Sequence, residues 1–133
     1  KKPCMKQTQF ASLMITALLL IGSVVDAQTN SSSPNLLRHI VIITFKPGAS
    51  PDSIKALDVV YKDLSKSPFV KDFEMGVNVS TRDSGTLKHV YVTSFASREE
   101  MKNYSKIPEY QRLFKLSLPI AEGVTVADYW INK

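Results

Sequence analysis

The chain has 133 residues and a formal net charge of +5, from 17 Lys+Arg against 12 Asp+Glu. Its length fits one domain, and its basic residues are spread singly along the sequence, which argues against a nucleic-acid interface. The only cysteine, Cys4, excludes an internal disulfide and a cysteine-rich metal site.

Residues 5–27 have the pattern of a secretory signal peptide, with a basic start, an apolar run over Phe10–Val25 and small or apolar residues before a cleavage point after Ala27. The apolar run is short for a membrane span, which needs ~20 residues. Residues 1–27 are therefore expected to be a cleaved leader of a secreted or periplasmic protein, without membrane contact after cleavage. An N-terminal membrane anchor is the alternative.

The predicted domain starts after a polar segment. Residues 28–37 contain too few apolar side chains to pack and predict a flexible linker, so the folded domain is expected at residues 38–133. Its first strand, at about Arg38–Lys46, is apolar on both faces, which is typical of a central strand.

A helix is predicted after this strand. Ser50 can cap its N-terminus, Pro51 suits the first helical position and Asp52 suits the first turn. Apolar side chains at helical spacing form one stripe: Ile54, Leu57, Tyr61 and Leu64. Three charged side chains are expected to face water: Lys55, Asp58 and Lys62.

The second half of the domain repeats the strand–helix pattern. A strand is predicted at about Phe73–Val79, where apolar residues alternate with polar residues or glycine, and this pattern suggests a position near the sheet edge. A strand that is apolar on both faces follows at His89–Phe95. A capping box at Ser97–Glu100 starts a helix. Pro108 starts a further helical segment, and a last strand is predicted at Val124–Ile131.

The order β-α-β-β-α-β predicts an α+β domain of the ferredoxin-like type, a four-stranded antiparallel sheet with helices on one face. The first and third strands should then be central. The opposite face of the sheet stays apolar and needs a cover. A second copy packed sheet to sheet is the simplest cover, and it would make a homodimeric α/β barrel.

Five segments of the chain resemble the stress-responsive A/B barrel, or Dabb, domain family. They are Arg38–Lys46, Gly76–Ser80, Lys88–Phe95, Pro108–Phe114 and Val126–Tyr129. Together they span nearly all of the predicted domain.

The resemblance implies a homodimer with a pocket between sheet and helices, and a link to stress responses. One plant relative is a polyketide cyclase with a histidine base at the start of the third strand. His89 occupies that position, and His39 matches another pocket histidine. The chain departs from the family's His-Pro-x-His motif, which reads Ile107-Pro108-Glu109-Tyr110 here.

His89 is the candidate general base. Histidine titrates closest to neutral pH, and Tyr91 and Tyr110 are expected neighbours, with Asp128 to orient the imidazole. The structural alternative is that His89 ends a strand, bonds to the backbone and fills a half-polar corner.

The two histidines are expected to lie apart. A centred antiparallel register pairs His39 with Phe95 and His89 with Phe45, which separates the histidines by about six residues, or ~20 Å. Two histidines without a third ligand are also a poor metal site. No metal and no cofactor are therefore expected.

The sequence favours an exported homodimer that binds a small apolar or aromatic molecule, or nothing specific, without catalysis. The predicted pocket residues are His39, Tyr91, Tyr110 and Asp128. The alternative function is a cofactor-independent cyclase, isomerase or oxygenase with His89 as general base. A pure interaction module, without a usable pocket, is a third reading.

Overall fold

The computed structural model describes residues 35–83 and 85–131. The predicted leader and residues 28–34 of the predicted linker lie outside these residues. Among the described residues, no helix combines the length and the hydrophobicity that a bilayer crossing requires.

The elements follow the predicted order, with the second helical region divided in two. The strands are β1 (Leu37–Phe45), β2 (Asp72–Val77), β3 (Lys88–Phe95) and β4 (Ala121–Trp130). The helices are α1 (Pro51–Leu64), α2 (Arg98–Tyr104) and α3 (Pro108–Ser117).

The four strands form one sheet in the order β2-β3-β1-β4, and every neighbouring pair is antiparallel. The ferredoxin-like arrangement is therefore confirmed, as is the central position of the first and third strands. Strand β4 lies at one edge of the sheet, beside β1, and β2 lies at the other edge.

The predicted register between β1 and β3 is wrong by two residues. His39 pairs with Thr93 and Ile43 pairs with His89, so the histidines are offset by four positions, or ~14 Å along the strands. In the observed register, Phe95 pairs with Leu37 instead of His39. The Leu37 and Phe95 side chains are both 0% exposed, so this pairing buries two large apolar groups together.

The core lies on the face of the sheet that carries the odd-numbered residues of β1. Leu37, Val41, Ile43 and Phe45 are buried there, because successive strand side chains point to opposite faces. The predicted stripe of α1 packs with this face and is confirmed: Ile54, Leu57, Tyr61 and Leu64 are all buried. All four belong to one hydrophobic cluster with Val41, Ile43 and Phe45 of β1.

The two predicted helix caps differ. The Ser97 hydroxyl accepts a hydrogen bond from the Glu100 N–H at 3.1 Å, and the Glu100 carboxylate accepts one from the Ala96 N–H at 2.9 Å. Ser50 makes no side-chain capping hydrogen bond, so the hydroxyl cap predicted for α1 is wrong. Pro51 at the start of the helix and Asp52 in its first turn remain as predicted.

The other face of the sheet carries a half-buried apolar patch. Alternation places the even-numbered residues of β1 and β3 on this face, and the patch consists of Ile40, Ile42, Val90 and Val92. We call this surface the outer face. The cavity described below lies on the opposite, helix-covered face.

Candidate functional site

A cavity of about 400 Å³ lies between α3 and the β1–β4 edge of the sheet. Most of its wall is apolar, with Val41 and Ile43 from β1, Val124 and Val126 from β4, and Leu113 from α3. The two β4 valines are more than half exposed, so the cavity opens along the sheet edge. Five lining residues add polar atoms: His39 with its imidazole, Tyr61, Tyr110, Ser117 and Glu122.

A histidine–carboxylate pair belongs to this cavity. His39 and Asp128 are register partners on β1 and β4, and His39 Nδ1 lies 2.6 Å from Asp128 Oδ1. The side chains are 15% and 34% exposed. Because an ionised carboxylate only accepts hydrogen bonds, Nδ1–H is the donor to Asp128, and whenever the ring is neutral its free lone pair lies on Nε2. The pair can therefore accept a proton or a hydrogen bond from a molecule in the cavity.

Two tyrosines add hydrogen-bond donors. Burial raises the pKa of Tyr61, and the neighbouring hydroxyls of Tyr104 and Tyr110 raise it further. Burial also raises the pKa of Tyr110, with a second contribution from the charge of Asp128. Both phenols stay protonated at neutral pH, so each can donate a hydrogen bond to a ligand oxygen.

The structure brings together three of the predicted site residues. His39 and Tyr110 both line the cavity, and Asp128 hydrogen-bonds to His39. His89 and Tyr91 do not contribute to the cavity wall. The expected contact between Asp128 and the His89 imidazole is wrong, because the β1–β4 register places Asp128 opposite His39.

His89 has a different carboxylate partner. Its Nδ1 lies 3.0 Å from Asp58 Oδ1, and the Tyr91 hydroxyl donates to the same oxygen at 2.7 Å. The prediction that Asp58 faces water is therefore wrong. Its side chain is mostly buried, and two hydrogen bonds compensate for removing the carboxylate from water.

Two residues of this region were missed as functional candidates. Tyr61 was assigned to the apolar stripe alone, although it also lines the cavity. Asp58 precedes Tyr61 by three positions on α1, which places both on one side of the helix. That spacing was the available signal that Asp58 could turn toward the core.

Within residues 35–83 and 85–131 there is no group of three or more histidine, cysteine, aspartate or glutamate side chains that could hold an ion. The side chains that line the cavity can form hydrogen bonds and apolar contacts, and the His39 imidazole can transfer a proton.

Residues 37–131 match the family model of the stress responsive A/B barrel domain. The chain belongs to this family. A curated A/B barrel domain relative, a stress-response A/B barrel domain-containing protein of Arabidopsis thaliana, is 28% identical over 96 residues, which cover 70% of this chain and 87% of that protein. The family predicted from the sequence is thus confirmed.

Solved structures show the same fold. A hydroxynitrile lyase from Passiflora edulis is 25% identical to this A/B barrel domain protein, with a TM-score of 0.66, and the match covers 75% of this chain and 96% of the lyase. A dimeric ferredoxin-like protein of unknown function from Thermobifida fusca is 14% identical, with a TM-score of 0.64 and coverage of 74% and 93%.

Proposed function

We propose that this A/B barrel domain binds a small, largely apolar molecule that carries a hydroxyl or carbonyl group. The observation that carries the proposal is the His39–Asp128 pair, which supplies an oriented imidazole to a cavity with an otherwise mainly apolar wall. Ligand sites commonly combine a concave apolar wall with a few convergent polar groups.

The polar groups define the chemistry of the ligand. His39 Nε2 can accept a hydrogen bond from a ligand hydroxyl, and the protonated phenols of Tyr61 and Tyr110 can donate to a ligand oxygen. The volume of about 400 Å³ suits a molecule of one or two rings. An aromatic alcohol or ketone meets all of these conditions.

The binding proposal predicts a preference for a hydroxylated ligand. 2-Naphthol should bind more tightly than naphthalene, because its hydroxyl can donate to His39 Nε2. His39→Leu removes this acceptor and should reduce the preference by roughly 3- to 10-fold, the effect of one net hydrogen bond. Isothermal titration of both ligands measures the ratio.

Lys62→Gln is the comparison for this experiment. Because Lys62 is exposed on α1 and does not line the cavity, this change should leave the preference for 2-naphthol intact. A preference that survives His39→Leu would contradict the assignment of His39 as the polar contact.

A second candidate function is acid–base catalysis. Asp128 orients the His39 imidazole, as a general base requires, and the similarity to the hydroxynitrile lyase supports this reading. The sequence assigned the base role to His89 in a cyclase, isomerase or oxygenase. The cavity geometry favours His39 in that role, because only His39 lines the space where a substrate would bind.

The catalytic candidate predicts breakdown of a hydroxynitrile. In mandelonitrile, His39 Nε2 would take the hydroxyl proton while the carbon–carbon bond breaks and cyanide leaves, which forms benzaldehyde. Benzaldehyde release, followed by its absorbance, should exceed the buffer rate and return to it in His39→Leu. A rate equal to buffer for the unchanged protein would remove this candidate.

We further propose that the domain is a homodimer that buries the outer face. The dimeric Thermobifida fusca neighbour supports this. Arg38 Nε and Ser94 Oγ are buried without a hydrogen-bond partner in residues 35–83 and 85–131. Buried polar atoms are nearly always paired, and both residues have even numbers and so lie on the outer face, where a second copy can supply partners.

A charge on the outer face should separate the subunits. Ile40→Glu places a carboxylate in the centre of the apolar patch, where burial against a partner would be unfavourable. Light scattering at micromolar concentration should give a dimer for the unchanged protein and a monomer for Ile40→Glu. Val59→Glu, at an exposed position of α1, is the control and should stay dimeric. A monomeric unchanged protein would contradict the proposal.

We also propose that the protein is exported and cleaved after Ala27. The support is the charge and hydropathy pattern of residues 5–27. When the full chain is expressed with its own leader, the intact mass of the exported protein should correspond to a chain that starts at Gln28. A full-length mass in the membrane fraction would instead indicate the N-terminal anchor.

A further inference from the structure

Asp58 connects helix α1 to strand β3. Its Oδ1 accepts the Tyr91 hydroxyl at 2.7 Å and lies 3.0 Å from His89 Nδ1. The Asp58 and His89 side chains are 16% and 10% exposed, and Tyr91 is fully buried. One carboxylate oxygen on α1 thus accepts two hydrogen bonds from β3.

The Tyr91 ring connects Asp58 to the cavity wall. It stacks on the Tyr61 ring, with 3.6 Å between the ring centroids and an angle of 12° between the ring planes. Tyr61 forms part of the cavity wall. The chain of contacts therefore runs from Asp58 through Tyr91 to a side chain that a ligand would touch.

The spacing of these residues places them on facing sides of α1 and β3. Asp58 and Tyr61 are three positions apart on one side of α1, and His89 and Tyr91 are two positions apart on one face of β3. The His89 ring also packs edge-on against the Phe45 ring, with 5.0 Å between the ring centroids. Each member is held by at least one other, so the ring of Tyr61 has a fixed support.

From this arrangement we infer that Asp58 is a positioning residue for the ligand cavity. It fixes Tyr91 through a hydrogen bond, and Tyr91 fixes the phenol of Tyr61 through the stacked rings. The inference rests on the proposed binding function. It also gives His89 a role that the sequence did not suggest, as the second donor that holds the Asp58 carboxylate in place.

The chemistry of the Tyr91 hydroxyl agrees with this role. Burial raises its pKa most, and the hydrogen bond to Asp58 and the charge of Asp58 raise it further. The phenol therefore stays protonated and donates to the carboxylate. A carboxylate is well suited to the position because it accepts several hydrogen bonds and donates none.

The test combines a binding measurement with one that needs no ligand. Asp58→Asn weakens the acceptor at constant shape, and Tyr91→Phe removes only the hydroxyl and keeps the stacked ring. Isothermal titration gives the affinity for 2-naphthol. Carbon-13 NMR of protein with labelled tyrosine reports the environment of the Tyr61 ring, with Tyr61→Phe used to assign its signal.

Each single change should lower the affinity for 2-naphthol by roughly 3- to 10-fold and shift the Tyr61 signal in the folded protein. The double variant should lose no more affinity for 2-naphthol than the single variant that binds it less tightly. Both changes break the same link, so their effects should not add. Asp63→Asn is the matched control. Asp63 lies on the same helix but pairs with Lys66 at the surface, so its loss should change neither measurement.

Two outcomes would overturn the inference. One is an unchanged affinity and an unchanged Tyr61 signal in a variant whose thermal stability has fallen, which would leave Asp58 a purely structural role. The other is an additive loss in the double variant. If Asp58→Asn does not fold, Tyr91→Phe alone decides. Failure of the binding proposal is distinct, because His39→Leu would then leave the preference for 2-naphthol unchanged while the Tyr61 signal still reports on Asp58.

Discussion

The candidate site depends on the antiparallel pairing of β1 with its two neighbours. β1 lies between β3 and β4, and this position sets His39 opposite Asp128 on one side and Thr93 on the other. The partners His39 and Asp128 are 89 residues apart in sequence. A shift of one residue in the β1–β4 register would send their side chains to opposite faces of the sheet, and the cavity would lose its oriented imidazole.

The two histidines show how similar sequence can acquire different roles. Both stand in strands of similar composition, and both bond to an aspartate through Nδ1. The partner of His39 comes from the edge strand β4, beside the open cavity, whereas the partner of His89 comes from α1, where the helix covers the sheet. Position in the layers, rather than the identity of the pair, separates a side chain that a ligand can reach from one that supports the wall.

Local patterns were sufficient for the fold and for part of the site. Two-sided apolarity identified β1 and β3 as central, and helical spacing identified the buried stripe of α1. The pairing of Asp128 with His39 could not be obtained in this way, because it depends on a register between distant strands. The sequence predicts that Asp58 faces water, because a charged residue in an amphipathic helix is usually exposed. Its burial becomes favourable only through the two hydrogen-bond donors on β3.

The alternation of side chains along β1 has an evolutionary consequence. Odd-numbered residues of this strand supply the core and the cavity wall, and even-numbered residues supply the outer face that we propose for dimerisation. Substitutions can therefore alter ligand preference and subunit affinity independently, one residue at a time. An insertion or deletion of a single residue would exchange the two sets at once, so members of this lineage should vary in the composition of β1 while they keep its length.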